Sequence, residues 1–265
     1  MNKFVKSLTA QKLGFVLLLA MSPLAHASWK VGSGVEQFNW HEYASNGSLL
    51  DKEQGARYDL FASYLQNGNE GLLFGWHGKF YTGDPTYNGA TQLGVPYNSD
   101  SQYNGLNNEL LAVYRTRLDS KRVDWTTGLG YDMWRRGTRN TLLGMTQNED
   151  WNVVYAKFGG EIYQHAHSGW HGGGGVRYTL YTSENSHFDA LGASSNPSLS
   201  PGKSYGYDVN GGYRINRHWD FTAYYSYTRF TQSSPVSLSF GGLAASAFQP
   251  LSVQKDIGAN ISYQF

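Results

Sequence analysis

The sequence predicts an all-β fold, a transmembrane antiparallel up-and-down β-barrel of ten strands, with eight and twelve as alternative counts. Three observations carry that expectation. Apolar and polar residues alternate strictly over stretches of about ten positions, and a period of two is the period of a strand. Breaks rich in Asn, Gly, Ser and Asp separate the stretches, and those breaks are alternately short and long. Short turns at one end, long loops at the other and an even strand number describe a barrel that crosses a membrane with both termini on the periplasmic side.

Composition bounds the remaining classes. The chain of 265 residues has no Cys, 32 Gly, 8 Trp, 20 Tyr and 13 Phe. It is too aromatic for a disordered chain, and 40% hydrophobic residues leave no material for a helical membrane protein. The absence of Cys excludes disulfide scaffolds, zinc-thiolate sites and cysteine nucleophiles. Lys+Arg 21 against Asp+Glu 20 removes the bulk electrostatic argument for a nucleic-acid partner.

The first element in chain order is a segment to be removed. Lys3, Lys6 and Lys12 precede an apolar run from Leu13 to Met21, Pro23 breaks it, and Ala25-His26-Ala27 supplies a small-x-small cleavage pattern. Residues 1–27 therefore read as a secretory signal peptide, with 28–265 as a single barrel domain beginning at Ser28. The apolar run is too short to be a membrane anchor.

The ten strands follow at approximately 29–43, 53–65, 70–82, 103–118, 121–135, 150–164, 168–182, 203–215, 218–231 and 253–265. In the second, Ala56, Tyr58, Leu60, Ala62 and Tyr64 oppose Arg57, Asp59, Phe61 and Ser63. In the third, Leu72, Phe74, Trp76, Gly78 and Phe80 oppose Leu73, Gly75, His77, Lys79 and Tyr81. In the last, Val253, Ile257, Ala259, Ile261, Tyr263 and Phe265 oppose Gln254, Asp256, Asn260, Ser262 and Gln264. The short turns fall at Asn67-Gly68-Asn69, Ser120, 165–167 and Asn216-Arg217; the long connections are 83–102, 136–149, 183–202 and 232–252.

A soluble sandwich or lipocalin-like barrel would alternate in the same way. Three features favour the membrane. Trp29, Trp125, Trp170 and Trp219 recur at the level of one interface, where amphipathic rings suit the boundary of headgroups and water. The chain ends without a polar tail, in Ile261-Ser262-Tyr263-Gln264-Phe265, and a signal peptide without cysteine suits a cell-envelope protein.

Tyr263-Gln264-Phe265 resembles the C-terminal aromatic signature of Gram-negative outer-membrane β-barrel proteins. The resemblance implies residence in the outer membrane after signal-peptide cleavage. It also implies that Tyr263 and Phe265 act as an assembly signal for the barrel-assembly machinery, with outer-membrane lipid and lipopolysaccharide as surroundings. In size and strand count the chain is similar to omptin-like ten-stranded barrels. Omptins are proteases with an Asp-Asp and an Asp-His pair near the outer rim. Asp189 two residues after His187, and Asp84 with Asp100, do not match those motifs, so no catalytic residue is carried over.

Facing assigned from the alternation turns Arg57, Lys79, Arg115, Arg117, Lys157 and Arg177 inward, together with Asp59, Glu109, Asp124, Asp132, Glu161, Asp208, Asp220 and Asp256. A barrel of ten strands is close to the size that side chains fill, and buried charges must be paired, so a largely plugged polar lumen is expected. His165, His167 and His171 have a spacing a metal could use, but turn histidines without an evident carboxylate point to no metal site. Gly172 to Gly175 lack the helix and the Lys-Ser/Thr pair of a phosphate loop, and 84–100 lacks the order of a calcium loop. No cofactor is expected. The sequence thus points to a barrel serving surface interaction or envelope structure through its long outer loops, where an extracellular ligand would bind. A narrow porin-like channel and an omptin-like hydrolase are the alternatives.

Overall fold

A computed structural model describes residues 27–90, 96–140, 145–165 and 168–265; the signal-peptide reading falls on 1–26, outside them. Ten strands close the barrel: β1 Ala27–Tyr43, β2 Leu49–Gln66, β3 Gly71–Gly83, β5 Pro96–Leu118, β6 Lys121–Asn140, β7 Met145–Tyr163, β8 Gly169–Ser186, β10 Tyr205–Arg214, β11 Trp219–Phe230 and β14 Leu251–Gln264. Each pairs antiparallel with its neighbour in chain order, and β1 pairs with both β2 and β14, so the sheet has no open edge across the membrane. Closure satisfies every ladder group internally, which is the requirement lipid imposes.

The alternation resolves into two faces. Leu60, Phe74, Leu110, Leu129, Phe158, Val176, Val209 and Ile257 are exposed on the outer wall, while Arg57, Asp59, Glu109, Arg115 and Asp256 are buried inside. Exposed apolar side chains in this number fit lipid rather than water. Aromatic girdles bound the band. Trp125, Trp170, Tyr213 and Trp219 mark the end with the short turns, where Trp170 lies 5.1 Å from Tyr213 and Trp219 5.1 Å from Tyr263. Tyr58, Tyr131, Tyr178 and Tyr207 mark the other. Phe265, 71% exposed, packs edge-on against Tyr263 on the outer wall.

Three of the long connections are folded rather than slack. β4 Thr86–Ala90 pairs with β2 and with an early extension of β5. The 183–202 segment holds a 3-10 turn, Phe188–Leu191, and β9 Ser198–Leu199. The 232–252 segment forms the hairpin of β12 Val236–Phe240 and β13 Leu243–Ala247, turned by Gly241 and Gly242 at φ 55° and 87°. The expected solvated loop at 84–100 is therefore largely strand. Tyr97, Ser99, Ser101 and Tyr103 continue the period of β5 toward its outer end, with β4 as the partner of 96–100 and Gly83 of β3 as that of Tyr103.

Glycine explains how large rings fit within the wall. A Cβ on Gly105 would stand 2.2 Å from the ring of Tyr81, and one on Gly130 2.1 Å from that of Tyr155. Both tyrosines thus lie flat against neighbouring strands.

Candidate functional site

Residues that alternate inward bring their charges to the barrel axis, and the lumen is built in tiers. At the short-turn end Arg115 grips Asp124 through two hydrogen bonds of 2.8 Å and donates to the Gly68 carbonyl at 2.7 Å. His171 stands between Glu161 at 2.7 Å and Asp220 at 3.0 Å, and Lys30 and Arg214 approach Asp220 at 3.6 and 3.5 Å. Above these, Arg57 donates to Glu36 at 2.7 Å and lies 3.5 Å from Asp256, while Tyr224 donates to Glu36 at 2.6 Å. Lys157 donates to both oxygens of Glu109 at 2.9 and 2.8 Å, and Tyr155 to the same carboxylate at 2.7 Å. Tyr81 donates to Asp132 at 2.9 Å, and Ser63 Oγ and His77 Nδ1 share a bond of 2.8 Å. These tiers line a chamber of about 580 Å³ that reaches Ser28, Asn67 and Gln264 at the short-turn mouth.

The chamber stops at a layer of rings. Trp40, Trp134, Trp151 and Phe230 lie ten positions from Lys30, Asp124, Glu161 and Asp220 respectively on the same strands, each toward the long-loop end. Ten residues at about 3.3 Å, on strands tilted about 40°, place the rings roughly 25 Å above those charges, the height of the apolar band. Trp134 stacks on Trp151 at 5.1 Å and 9°, Trp40 meets Trp151 edge-on at 5.5 Å, and Phe230 closes the cluster at 5.5 Å from Trp151. Phe38 and Tyr103 extend it at 4.8 Å. Arg57 stands 4.0 Å over the Phe38 ring and so joins the chamber to the layer.

Beyond the rings, above the membrane, lies a buried cluster with several carboxylates around one guanidinium. Arg136 donates to Glu53 at 2.9 Å, Glu42 at 2.9 Å and Glu149 at 3.2 Å. Tyr103 and Ser101 donate to Glu53, Trp40 and Gln249 to Glu42, and Trp151 to Glu149. Burial works against the Glu42 carboxylate, but Arg136, Trp40 and Gln249 outweigh it and hold it below the ordinary range. Glu184 and Asp51 are less well supported, although Ser186 donates to Glu184 at 2.5 Å. Burial, then Glu149, pushes Glu184 well up, and burial with Glu42 pushes Asp51 up to about 9. Asp51 is therefore protonated at neutral pH, and Glu184 holds its proton more tightly than an ordinary carboxyl.

Of the residues expected to face inward, Arg57, Asp59, Lys79, Glu109, Arg115, Asp124, Asp132, Lys157, Glu161, Arg177, Asp208 and Asp256 line the chamber. Asp220 faces the same interior and is held by His171. Arg117 stands instead at the turn end, 59% exposed beside Glu70 at 3.5 Å, because its strand has left the wall there. His171 is buried between carboxylates, His165 lies on the exposed turn and His167 lies outside the described residues. His187 meets Asp150, not Asp189, at 2.8 Å; Asp150 is also gripped by Arg135 at 2.7 and 3.2 Å on the outward face. Asp84 and Asp100 are exposed. The ring layer and the Arg136 cluster lay outside the expected set, although Trp40, Trp134, Arg136, Glu149 and Trp151 share the inward parity of Glu36, Asp132 and Tyr155.

No family model and no curated protein matches the chain. Among solved structures, the outer membrane protease OmpT of Escherichia coli is similar over 91% of this chain and 97% of its own, at a TM-score of 0.56 and 12% identity. The chain has the fold of the Gram-negative outer-membrane β-barrels. The transport unit of the Escherichia coli autotransporter AIDA-I (TM-score 0.47, 9% identity, 97% of each chain) and Neisserial surface protein A (0.37, 11%, 90% and 99%) are weaker likenesses. In an outer-membrane barrel the short-turn mouth of the chamber faces the periplasm, and the ring layer stands between it and the outside.

Proposed function

We propose that the protein resides in the outer membrane as a closed barrel, whose work is done by the folded structures on its outer end rather than by passage through its lumen. The observation that supports this most is the layer of Trp40, Trp134, Trp151 and Phe230 across the axis. An ion moving outward would have to leave the balanced chamber, cross rings and then enter the buried Arg136 cluster, and each step strips water without supplying replacement ligands. The outer end is a built surface. The β4–β5 pairing, the 3-10 turn and the β12–β13 hairpin fix their backbones by hydrogen bonds, so a partner meets an ordered platform. Planar-bilayer recording on the folded protein tests the reading: silence at physiological salt is expected, and large, stable single-channel steps would establish a porin-like channel instead.

A second reading, an outer-membrane hydrolase, draws on the His187–Asp150 pair at 2.8 Å near the outer rim and on the fold shared with a protease. Arg135 already engages both oxygens of Asp150, which favours a structural pair. Cleavage of a peptide library that disappears in His187→Ala would decide for the enzyme.

A further inference from the structure

The chamber holds a serine beside a histidine that the pairing of charges does not account for. Strand register sets Lys30 of β1, Ser63 of β2, His77 of β3 and Glu109 of β5 side by side in one row, and all four line the chamber. Facing side chains on neighbouring strands stand about 5 Å apart, so the row presents a cation, a hydroxyl, an imidazole and a carboxylate in order, each next to the last. Ser63 Oγ lies 2.8 Å from His77 Nδ1. With the ring proton on Nε2, Nδ1 accepts the serine proton, which is the contact an activated hydroxyl requires. The Phe61 ring stands 5.7 Å from the imidazole and holds its plane. Among the described residues, the other serines of the chamber lack an imidazole: Ser226 donates to Asp256, and Ser28 accepts from Gln264. Glu109 is fixed by Lys157 and Tyr155, and Lys30 is held only loosely, at 3.6 Å from Asp220. Ser63 lies four residues before the turn at Asn67, close to the periplasmic mouth, and the 580 Å³ of the chamber is within the range of small-molecule pockets.

We infer that Ser63 and His77 are the nucleophile and general base of a second, inward-facing site that hydrolyses a small carboxylic ester entering from the periplasm, with Glu109 as a positioning residue and Lys30 as the cation for the oxyanion. The site is separate from the His187–Asp150 pair near the outer rim and does not depend on what the outer surface binds. Ser63 Oγ attacks the ester carbonyl carbon as its proton passes to His77 Nδ1. The tetrahedral oxyanion meets the Lys30 ammonium on one flank of Ser63, while on the other flank the Glu109 charge favours the imidazolium that has formed. The bond from the acyl carbon to the leaving oxygen then breaks, and the imidazolium gives its proton to that oxygen. Water from the open mouth attacks the acyl-Ser63, passing a proton to Nδ1, and the acid departs as Ser63 Oγ takes that proton back. One ester and one water become one acid and one alcohol, with nothing oxidised or reduced.

The test exposes the full mature protein, folded in detergent micelles, to diisopropyl fluorophosphate and locates the adduct by peptide mass mapping. One diisopropylphosphoryl group on Ser63 is expected, and cleavage of 4-nitrophenyl acetate should disappear in step with labelling. His77→Gln should slow the labelling by about a hundredfold or more, the worth of a general base, whereas Ser226→Ala should label as wild type does. Glu109→Gln should move the pH at which labelling switches off to a lower value, because the imidazole loses the anion that favours its charged form; an unchanged profile would remove Glu109 from the site. No adduct at Ser63, labelling of His77→Gln as fast as that of wild type, or ester cleavage that survives complete labelling would each overturn the inference. Heat-dependent gel mobility, measured on every variant, separates a lost activity from a lost barrel.

Discussion

The two halves of the lumen store charge in opposite ways. In the chamber, cations and carboxylates are matched nearly one to one: Arg115 with Asp124, Lys157 with Glu109, Arg57 with Glu36 and Asp256. Lys157, Lys79 and Glu161 keep about a quarter of their side-chain surface open to the chamber, while Arg57, Glu36 and Asp256 are as buried as the cap. Above the rings, Glu42, Glu53 and Glu149 share Arg136, with Asp51 and Glu184 nearby, and all of these except Asp51 are nearly inaccessible. The difference teaches that a barrel can keep an excess of one charge sign only where it is dry enough for acids to keep their protons. The closed state of the lumen therefore depends on the upper half far more than on the lower.

The largest effect should come from removing the cation that the upper carboxylates share. Arg136→Met takes from three buried carboxylates the cation they share, and losing one partner of a buried network costs about 3–5 kcal/mol. Arg115→Met should cost less, because Asp124 keeps Arg122 at 3.4 Å and lies near the open mouth. Urea midpoints of the folded barrel compare the two, and equal losses would dissolve the distinction between wet and dry halves. Trp151→Ala comes next. It removes a fully buried ring that contacts Trp40, Trp134 and Phe230, a change that costs about 3–5 kcal/mol in cores that cannot collapse. It should also introduce small conductance steps; a silent bilayer would show that the Arg136 cluster seals the lumen without the rings.

The facing of the wall offers a milder test. Leu60, exposed at mid-band, should tolerate arginine poorly, at about 2–4 kcal/mol, whereas Ser63→Arg turns the charge into the chamber. Similar losses for the two variants would mean that β2 is slipped by one residue.

Much of this was legible before any coordinates. Period two gave away all ten barrel strands, because a wall with lipid on one side and charge on the other imposes alternation on every residue. The same parity that turned Asp124 and Asp132 inward also turned Trp134 and Arg136 inward. Beyond residue 135, however, the outward face becomes polar, the contrast between faces fades, and 136–149 reads as loop. The ring layer stayed hidden for a related reason: tryptophan in a membrane strand suggests a girdle, and only closure of the barrel shows that Trp40, Trp134 and Trp151 meet at its axis. Which cation meets which acid depends on register between strands, as with His187 and Asp150, which are 37 residues apart. Arg117 fails for a simpler reason, since alternation has no lumen to point into once the strand passes the rim.

The smallest expected effect concerns protons in the upper half. Asp51 is pushed up to about 9, by burial first and Glu42 second, from an ordinary value near 3.8. A carboxyl that binds its proton more tightly in the folded state than in the unfolded one adds stability that is fully present below about pH 4. That contribution declines as the pH rises and is gone above about 9. Glu184, also pushed up, contributes in the same direction. The ordinary expectation for paired carboxylates is the reverse: Glu42, held low, contributes stability that is lost as the pH falls through its folded value. Within pH 5 to 9 Glu42 stays ionised in both states, so the cap's share of the slope comes from the carboxyls held high, Asp51 together with Glu184 and Glu149. From pH 5 to pH 9 the urea midpoint of the wild-type barrel should therefore lose ground steadily against that of Asp51→Asn, whose own pH dependence lacks the Asp51 contribution. A gap between wild type and Asp51→Asn that does not change over this range would mean that Asp51 is ionised in the folded protein, and the contrast between a paired chamber and a protonated cap would not stand.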